Sequence, residues 1–183
     1  MNLNQSGEQC CLVAYASRTG STAGVAEAIS KILSEYGIRT VVLPLTEVKS
    51  LSEYSAVVVG SAVQNSRWLP EAIKFIADNR EILNCKPFAA FQVCMTLAMK
   101  DGEKYRSTVG KWMDPVRELA LPLSEGFFAG ALDISKIPTF SDRLKFRASA
   151  LFGILVEGDH RDWEAIRSWA KELKIKLQTS PVP

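Results

Sequence analysis

The chain has 183 residues and a formal net charge of +2, with 47% hydrophobic and 23% charged residues. This length suits one domain with a substantial core, and the balanced charge gives no case for nucleic-acid binding. No run of about 18 apolar residues is present, residues 1–9 lack the pattern of a signal peptide, and the four cysteines and one histidine show no zinc-ligand spacing. We therefore expect a cytoplasmic protein with reduced thiols and no metal site.

Predicted strands and helices alternate along the chain. Apolar runs predict strands at residues 12–16, 39–43, 56–60, 88–93 and 126–132. Apolar residues at helical spacing predict helices at 22–36, from Pro70, at 103–119, where Pro115 interrupts the pattern, and from Asp159 or Asp162 onward. This alternation predicts an α/β fold in one domain, 1–183: a doubly wound parallel sheet with helices on both faces.

The turn between the first strand and the first helix is rich in hydroxyl groups. It comprises Ser17, Arg18, Thr19, Gly20, Ser21 and Thr22. A helix that begins here directs free N–H groups and the positive end of its dipole at one place, where a phosphate can bind. Neither G-x-x-x-x-G-K-[ST] nor G-x-G-x-x-G is present, which disfavours triphosphate and dinucleotide binding. A Ser/Thr-rich helix cap without a ligand is the alternative, and Arg18 is expected either to face solvent or to assist the phosphate.

The same turn resembles the [ST]-x-T-G-x-T phosphate loop of the flavodoxin family, with Ser17, Thr19, Gly20 and Thr22 at the matching positions. Three further stretches, 59–63, 128–132 and 158–163, are similar to the branch of that family that contains menaquinone-dependent protoporphyrinogen dehydrogenase. The resemblance implies a five-stranded sheet in the order 2-1-3-4-5 and FMN as cofactor. It also implies an oxidoreductase in which electrons pass from a reduced substrate through the flavin to a quinone.

In that fold, the loops after strands three and four would flank the isoalloxazine ring, because ligands of such sheets bind at the carboxyl ends of the strands. The candidate ring contacts are Ser61, Ala62, Val63, Gln64, Asn65, Trp68, Cys94, Met95, Thr96 and Leu97. Trp68 is expected either to contact the ring or to pack against the following helix. Cys94 and Met95 are expected either to line the pyrimidine side or to be ordinary residues at the end of a strand.

A long connection, residues 133–161, lies between the fifth strand and the last helix. At about 29 residues it far exceeds the usual two to six, and it is too apolar for a disordered segment. Apolar residues recur at helical spacing within 136–155, and Lys136, Arg143 and Arg147 lie together on a neighbouring side. Such a basic amphipathic helix either lies at the inner face of a membrane, near a lipid quinone, or packs on its own domain.

Three functions remain open at this point. The first is an FMN-dependent oxidoreductase that resembles protoporphyrinogen dehydrogenase, with a small-molecule donor and a quinone acceptor. The second is a flavodoxin-type electron carrier that docks to redox partner proteins, although carriers of this kind are usually acidic. The third is a binding module without cofactor, which the intact phosphate turn disfavours. No catalytic acid or base is identified, since His160 beside Asp159 and Asp162 is expected at a helix start on the surface.

Overall fold

The computed structural model describes residues 10–136, 144 and 157–179. Its central sheet has five parallel strands and one short antiparallel strand. The strands are β1 (Cys10–Ala16), β2 (Arg39–Pro44), β3 (Ala56–Gln64), β4 (Arg67–Trp68), β5 (Phe88–Cys94) and β6 (Ser124–Ala129). The spatial order of the parallel strands is β2-β1-β3-β5-β6, and β4 pairs with the end of β3. The predicted order 2-1-3-4-5 is therefore confirmed.

Helices cover both faces of the sheet. In the ranges 10–136 and 157–179 the α-helices are α1 (Ser21–Glu35), α2 (Pro70–Asp78), α3 (Arg80–Asn84), α4 (Arg106–Lys111), α5 (Asp114–Leu119) and α6 (Trp163–Thr179). Successive strand residues point to opposite faces, so two cores form. Val13 and Val58 pack with α1 and α6 on one face, whereas Leu12 and Val59 pack with α2 and α5 on the other. In the described part of the chain, no helix has the length and hydropathy needed to cross a bilayer.

The helix predicted over 103–119 is divided into shorter pieces. A 3-10 helix, Gly102–Tyr105, precedes α4, and α5 follows after a turn. Pro115 lies in the first turn of α5, where its missing N–H has no helical partner to lose. The proline thus starts a helix and does not kink a longer one.

The fifth predicted strand, 126–132, is also interrupted. β6 starts earlier, at Ser124, and ends at Ala129, and after Gly130 a short strand β7 (Ala131–Leu132) pairs antiparallel with β8 (Gly158–Asp159). Leu132 lies opposite Gly158, so residues 133–157 leave and rejoin the fold at one place. The amphipathic helix predicted within 136–155 falls outside the described residues, except for Lys136 and Leu144. Lys136 ends the 3-10 helix Ile134–Lys136, and Leu144 is helical and exposed.

Candidate functional site

The hydroxyl-rich turn connects the end of β1 to α1. The backbone N–H of Gly20 donates to the Oγ of Ser17 at 3.1 Å, and Gly20 has φ 89°, which favours glycine. A Cβ at Gly20 would meet no atom within 4 Å, so a ligand can approach this backbone closely. The first turn of α1 contains no acidic side chain that would compete with an anion.

Thr22 provides the observation that tests whether a phosphate fits here. It lies in the first turn of α1 and is completely buried, and its Oγ1 has no hydrogen-bond partner among the described residues. Buried hydroxyls almost always have a partner, because leaving one unpaired costs about 1–3 kcal/mol. An unpaired donor next to the N–H groups that open α1 matches the needs of a phosphate group. The predicted turn therefore fits a phosphate ligand.

Arg18 is engaged by another side chain. Its guanidinium makes a bidentate ion pair with the carboxylate of Glu71, in the first turn of α2, with Nη2–Oε2 at 3.0 Å. The hydrogen bonds from Arg18 lower the pKa of Glu71. Both side chains are partly exposed. Arg18 is partly exposed to solvent, and its pair with Glu71 joins the turn to α2. That Arg18 assists a phosphate stays a prediction.

Ser21 joins the turn to the start of the long connection. Its Oγ accepts the backbone N–H of Ala131 at 2.8 Å, while the N–H of Gly130 donates to the carbonyl of Cys94 at 3.1 Å. A Cβ at Gly130 would lie 3.3 Å from the Oγ of Ser21 and from the Sδ of Met95. The turn at 17–22, the end of β5 and the start of β7 therefore meet at Gly130.

The loop predicted after strand three is a β-hairpin. β3 continues to Gln64 and pairs with β4, and Asn65 and Ser66 form the turn with φ 50° and 61°. Positive φ at both central residues is the geometry of a type I′ turn, whose twist suits a two-residue hairpin. Ala62 and Val63 are half-buried, and Gln64 and Asn65 are exposed at the tip.

Ser61 holds the base of this hairpin. Its buried hydroxyl accepts the N–H of Leu69 at 3.1 Å and donates to the carbonyl of Ala62 at 2.8 Å. Ser61 also pairs with Ala16 in the sheet, so the hairpin rises beside the phosphate turn. The side chain of Ser61 thus shapes the site without a free hydroxyl to offer a ligand.

Trp68 packs in the core. Its indole is 4% exposed, belongs to the cluster under α2 and α5, and donates Nε1–H to the Oε1 of Gln92 at 2.7 Å. Packing against the following helix, one of the two interpretations of this residue, is the one that the structure shows. We remove Trp68 from the ring contacts, because an indole enclosed in this way offers a flavin no face.

The end of β5 turns directly into a 3-10 helix, Thr96–Ala98. Cys94 is buried and Met95, Thr96 and Leu97 are half-buried. Burial raises the pKa of the Cys94 thiol, and the backbone N–H groups of Leu97 and Thr96 beside the sulfur oppose that rise.

The three predicted segments come together at one edge of the sheet. Ala16 pairs with Ser61, and Ala62 pairs with Val93, so the ends of β1, β3 and β5 are adjacent. A family model described as a flavodoxin domain matches residues 12–151, a span that contains all three segments.

The chain belongs to the flavodoxin domain family. FMN is the cofactor of this family, and the cofactor prediction is confirmed at that level. The match does not distinguish the protoporphyrinogen dehydrogenase branch. No curated protein matches the sequence.

Solved flavodoxins share the fold of this flavodoxin domain. A flavodoxin from the domain Archaea has a TM-score of 0.55 at 20% identity, covering 93% of this chain and 99% of its own. Oxidised Flavodoxin 2 from Bacillus cereus has a TM-score of 0.56 at 19% identity, covering 92% and 99%. The flavodoxin of Streptococcus pneumonia TIGR4 has a TM-score of 0.56 at 18% identity, covering 91% and 99%. At these identities the likeness concerns the fold alone.

The far end of the connection is fastened to α1 of the flavodoxin domain. Arg161 pairs with Asp159 at 2.7 Å through both Nε and Nη2, and its guanidinium lies 4.3 Å from the centre of the Trp163 ring. A Cβ at Gly24, in α1, would overlap Nη1 of Arg161. The N–H of His160 donates to the carbonyl of Gly130 at 3.2 Å. The connection is therefore anchored on the helix that begins at the phosphate turn.

Sequence reasoning missed two of the residues described above, Gln92 and Arg161. Gln92 carried a usable signal, because a polar side chain inside the apolar run of 88–93 must find buried partners. Arg161 gave no such signal, since its contact with Gly24 joins residues far apart in sequence. The start of the last helix was predicted: the Oδ1 of Asp162 accepts the N–H of Ala165 at 2.9 Å and caps α6.

Proposed function

We propose that this protein holds FMN with its phosphate at residues 17–22 and its ring between the β3–β4 hairpin and the turn at 94–97. The single observation that carries the proposal is the buried, unpaired hydroxyl of Thr22 beside the N-terminus of α1. Thr19, Gly20 and Thr22 would bind the phosphate, with Ser17 shaping the turn through its bond to Gly20. FMN, when bound, supplies the electron-transfer chemistry.

The protein's own residues would bind and orient the ring. Exposed Gln64 and Asn65 at the hairpin tip offer amide groups to its polar edge or to a substrate. The backbone of the loop that begins at Cys94 would bond to the ring from the other side. Burial raises the pKa of the Cys94 thiol, so the thiol stays protonated near neutral pH and would not act as a nucleophile.

We propose further that the reaction is an oxidation of a reduced small molecule with a quinone as acceptor, similar to protoporphyrinogen dehydrogenase. The resemblance of 59–63, 128–132 and 158–163 to that branch supports this choice. So does the long connection, whose residues 133–157 lie between β7 and β8, next to Ser21 and Met95. A segment anchored there can decide which molecules reach the ring.

The decisive experiment has two parts. The cofactor of the purified protein is identified by mass, and the FMN-loaded protein is then offered reduced porphyrinogen with a menaquinone analogue. Turnover coupled to quinone reduction is the expected result. Rapid reduction by a flavoprotein reductase, with no porphyrinogen or quinone turnover, would establish the electron-carrier alternative. FAD, or no flavin affinity, would overturn the cofactor site itself.

We propose that the basic side of the segment 136–155 brings the protein to an anionic membrane surface, where a lipid quinone is reachable. The proposal comes from the positions of Lys136, Arg143 and Arg147 in the sequence. Sedimentation with phosphatidylglycerol vesicles measures it, and Arg143→Glu with Arg147→Glu should weaken binding most at low salt. If the wild type does not sediment, this segment serves the protein's own domain or a soluble substrate.

A further inference from the structure

Gln92 forms a buried hydrogen-bonded bridge in the middle of β5. Its side chain is fully buried, its Oε1 accepts the indole N–H of Trp68 at 2.7 Å, and its Nε2 donates to the carbonyl of Val109 at 2.6 Å. A buried amide that lacked either partner would destabilise the fold, so both bonds fix the positions of the groups that they join.

One partner of Gln92, Trp68, belongs to the hairpin wall of the proposed ring site, and the other, Val109, lies in α4, beyond the second wall at 94–97. Trp68 is in β4, the second strand of the hairpin whose tip is Gln64–Arg67, where it pairs directly with Val63. Val109 is in α4, which directly follows the segment that leaves β5 at Cys94 and returns through the 3-10 helix Gly102–Tyr105. Gln92 itself is two residues before Cys94. The Gln92 side chain therefore ties the hairpin to β5 and α4, the two elements between which the segment 95–105 runs.

We propose that Gln92 is a positioning residue that sets the spacing between the β3–β4 hairpin and the turn at 94–97, and thereby the fit of the isoalloxazine ring. This inference rests on the proposed FMN site. Trp68 and Val109 occupy both polar ends of the Gln92 amide, so Gln92 would act through these partners and not through a contact with the flavin. The phosphate turn, whose contacts run to Glu71 and Ala131, does not depend on it.

The test compares Gln92→Met and Trp68→Phe with Ile76→Val, a control in the same core. Methionine has similar volume but neither bond, phenylalanine is aromatic but smaller than the indole and lacks its N–H, and the control removes one buried methyl group from α2. For each protein we would measure FMN affinity, the visible absorption and circular dichroism of bound FMN, and the affinity for inorganic phosphate.

Trp68→Phe, which removes one hydrogen bond, should bind FMN about tenfold more weakly, and Gln92→Met, which removes two, should bind it more weakly still. Both variants should shift the bands of bound flavin. Phosphate affinity should stay at the wild-type value, and Ile76→Val should lower the melting temperature without changing the flavin bands. Wild-type bands and FMN affinity in Gln92→Met would overturn the proposal and leave Gln92 as a core residue only.

Amide hydrogen exchange of the flavin-free protein tests the same claim without a cofactor. In Gln92→Met, exchange should become faster in both 61–68 and 94–105 and stay unchanged in 17–22. Faster exchange in only one of the two segments, or in neither, would overturn the proposal that Gln92 couples them. Failure of the wild type to bind FMN would overturn the proposed cofactor site, and this exchange measurement would still decide whether Gln92 couples the two segments.

Discussion

At the scale of single residues, the hydroxyl of Thr22 affects both the stability of the flavin-free protein and its affinity for a phosphate. Its buried hydroxyl has no partner among the described residues and so disfavours the folded, ligand-free state. The same hydroxyl would gain a charged acceptor when a phosphate binds. Stability and affinity should therefore respond in opposite directions when it is removed.

Thr22→Val keeps the shape of the side chain and removes the hydroxyl. We expect the flavin-free protein to become about 1–3 kcal/mol more stable and FMN binding to weaken by about 1.5–3 kcal/mol. Urea unfolding and FMN titration measure the two effects. The matched control is Thr40→Val: Thr40 bonds to Ser30 at 2.6 Å, so its loss should destabilise the protein and leave FMN affinity unchanged. A less stable Thr22→Val with normal FMN affinity would contradict the assignment.

The Arg18–Glu71 pair should make a small, pH-dependent contribution to stability. Because the folded pKa of Glu71 is lowered, the contribution is present above the ordinary pKa of a glutamate and is lost as the pH falls through the lowered value. Both side chains are exposed enough that we expect at most about 1 kcal/mol. Unfolding of wild type and Glu71→Gln across pH should show a constant difference near neutrality that vanishes in acid. A difference that grows in acid would contradict this account.

At the scale of elements, the sequence predicted the parallel strands but not the way two of them end. β3 was expected to stop at Gly60, and it runs on into a hairpin because Asn65 and Ser66 accept positive φ without the Asn-Gly signal that marks such turns. The predicted strand 126–132 crosses Gly130, where the backbone leaves the sheet to reach β8. Its partner strand lies far along the chain, so local pattern could not predict the interruption.

Gly24 should be required for the anchoring of the connection by Arg161. In Gly24→Ala the added Cβ overlaps the guanidinium, so Arg161 must leave its position between α1 and Trp163. We expect faster amide exchange at 157–161 and a change in Trp163 fluorescence. Gly110→Ala is the matched control, since a Cβ there meets nothing within 4 Å and should only add about 0.5–1 kcal/mol of helix stability. Unchanged exchange at 157–161 in Gly24→Ala would show that Arg161 does not anchor this end.

At the scale of the whole molecule, the alternation of strands and helices was enough to predict the fold and that the three candidate segments meet at one edge of the sheet. The residue types at 17–22 led to the hypothesis of a phosphate-binding turn, which stays a prediction. Sequence could not decide whether Trp68 contacts a ring or fills the core, because a large aromatic residue after a strand serves both purposes equally well. Nor could it show that Ser21 bonds to Ala131, a contact that only the closed fold creates.

Removing the connection should separate cofactor binding from substrate choice. Because Leu132 lies opposite Gly158, an Asn-Gly turn can replace 133–157 and close β7 and β8 into a hairpin. We expect the shortened protein to bind FMN with nearly wild-type affinity and to lose porphyrinogen and quinone turnover. The control is the shortened protein to which residues 133–157 are added in solution as a separate peptide. Loss of FMN from a folded shortened protein would place the connection inside the cofactor site.

The central claim is that the turn at 17–22 binds the phosphate of FMN. Calorimetric titration of the flavin-free protein with FMN and with riboflavin, which lacks the phosphate, tests it most directly. Two or more hydrogen bonds to a charged group, each about 1.5–3 kcal/mol, predict that FMN binds at least about 100-fold more tightly than riboflavin. Equal affinity for the two flavins would contradict the claim.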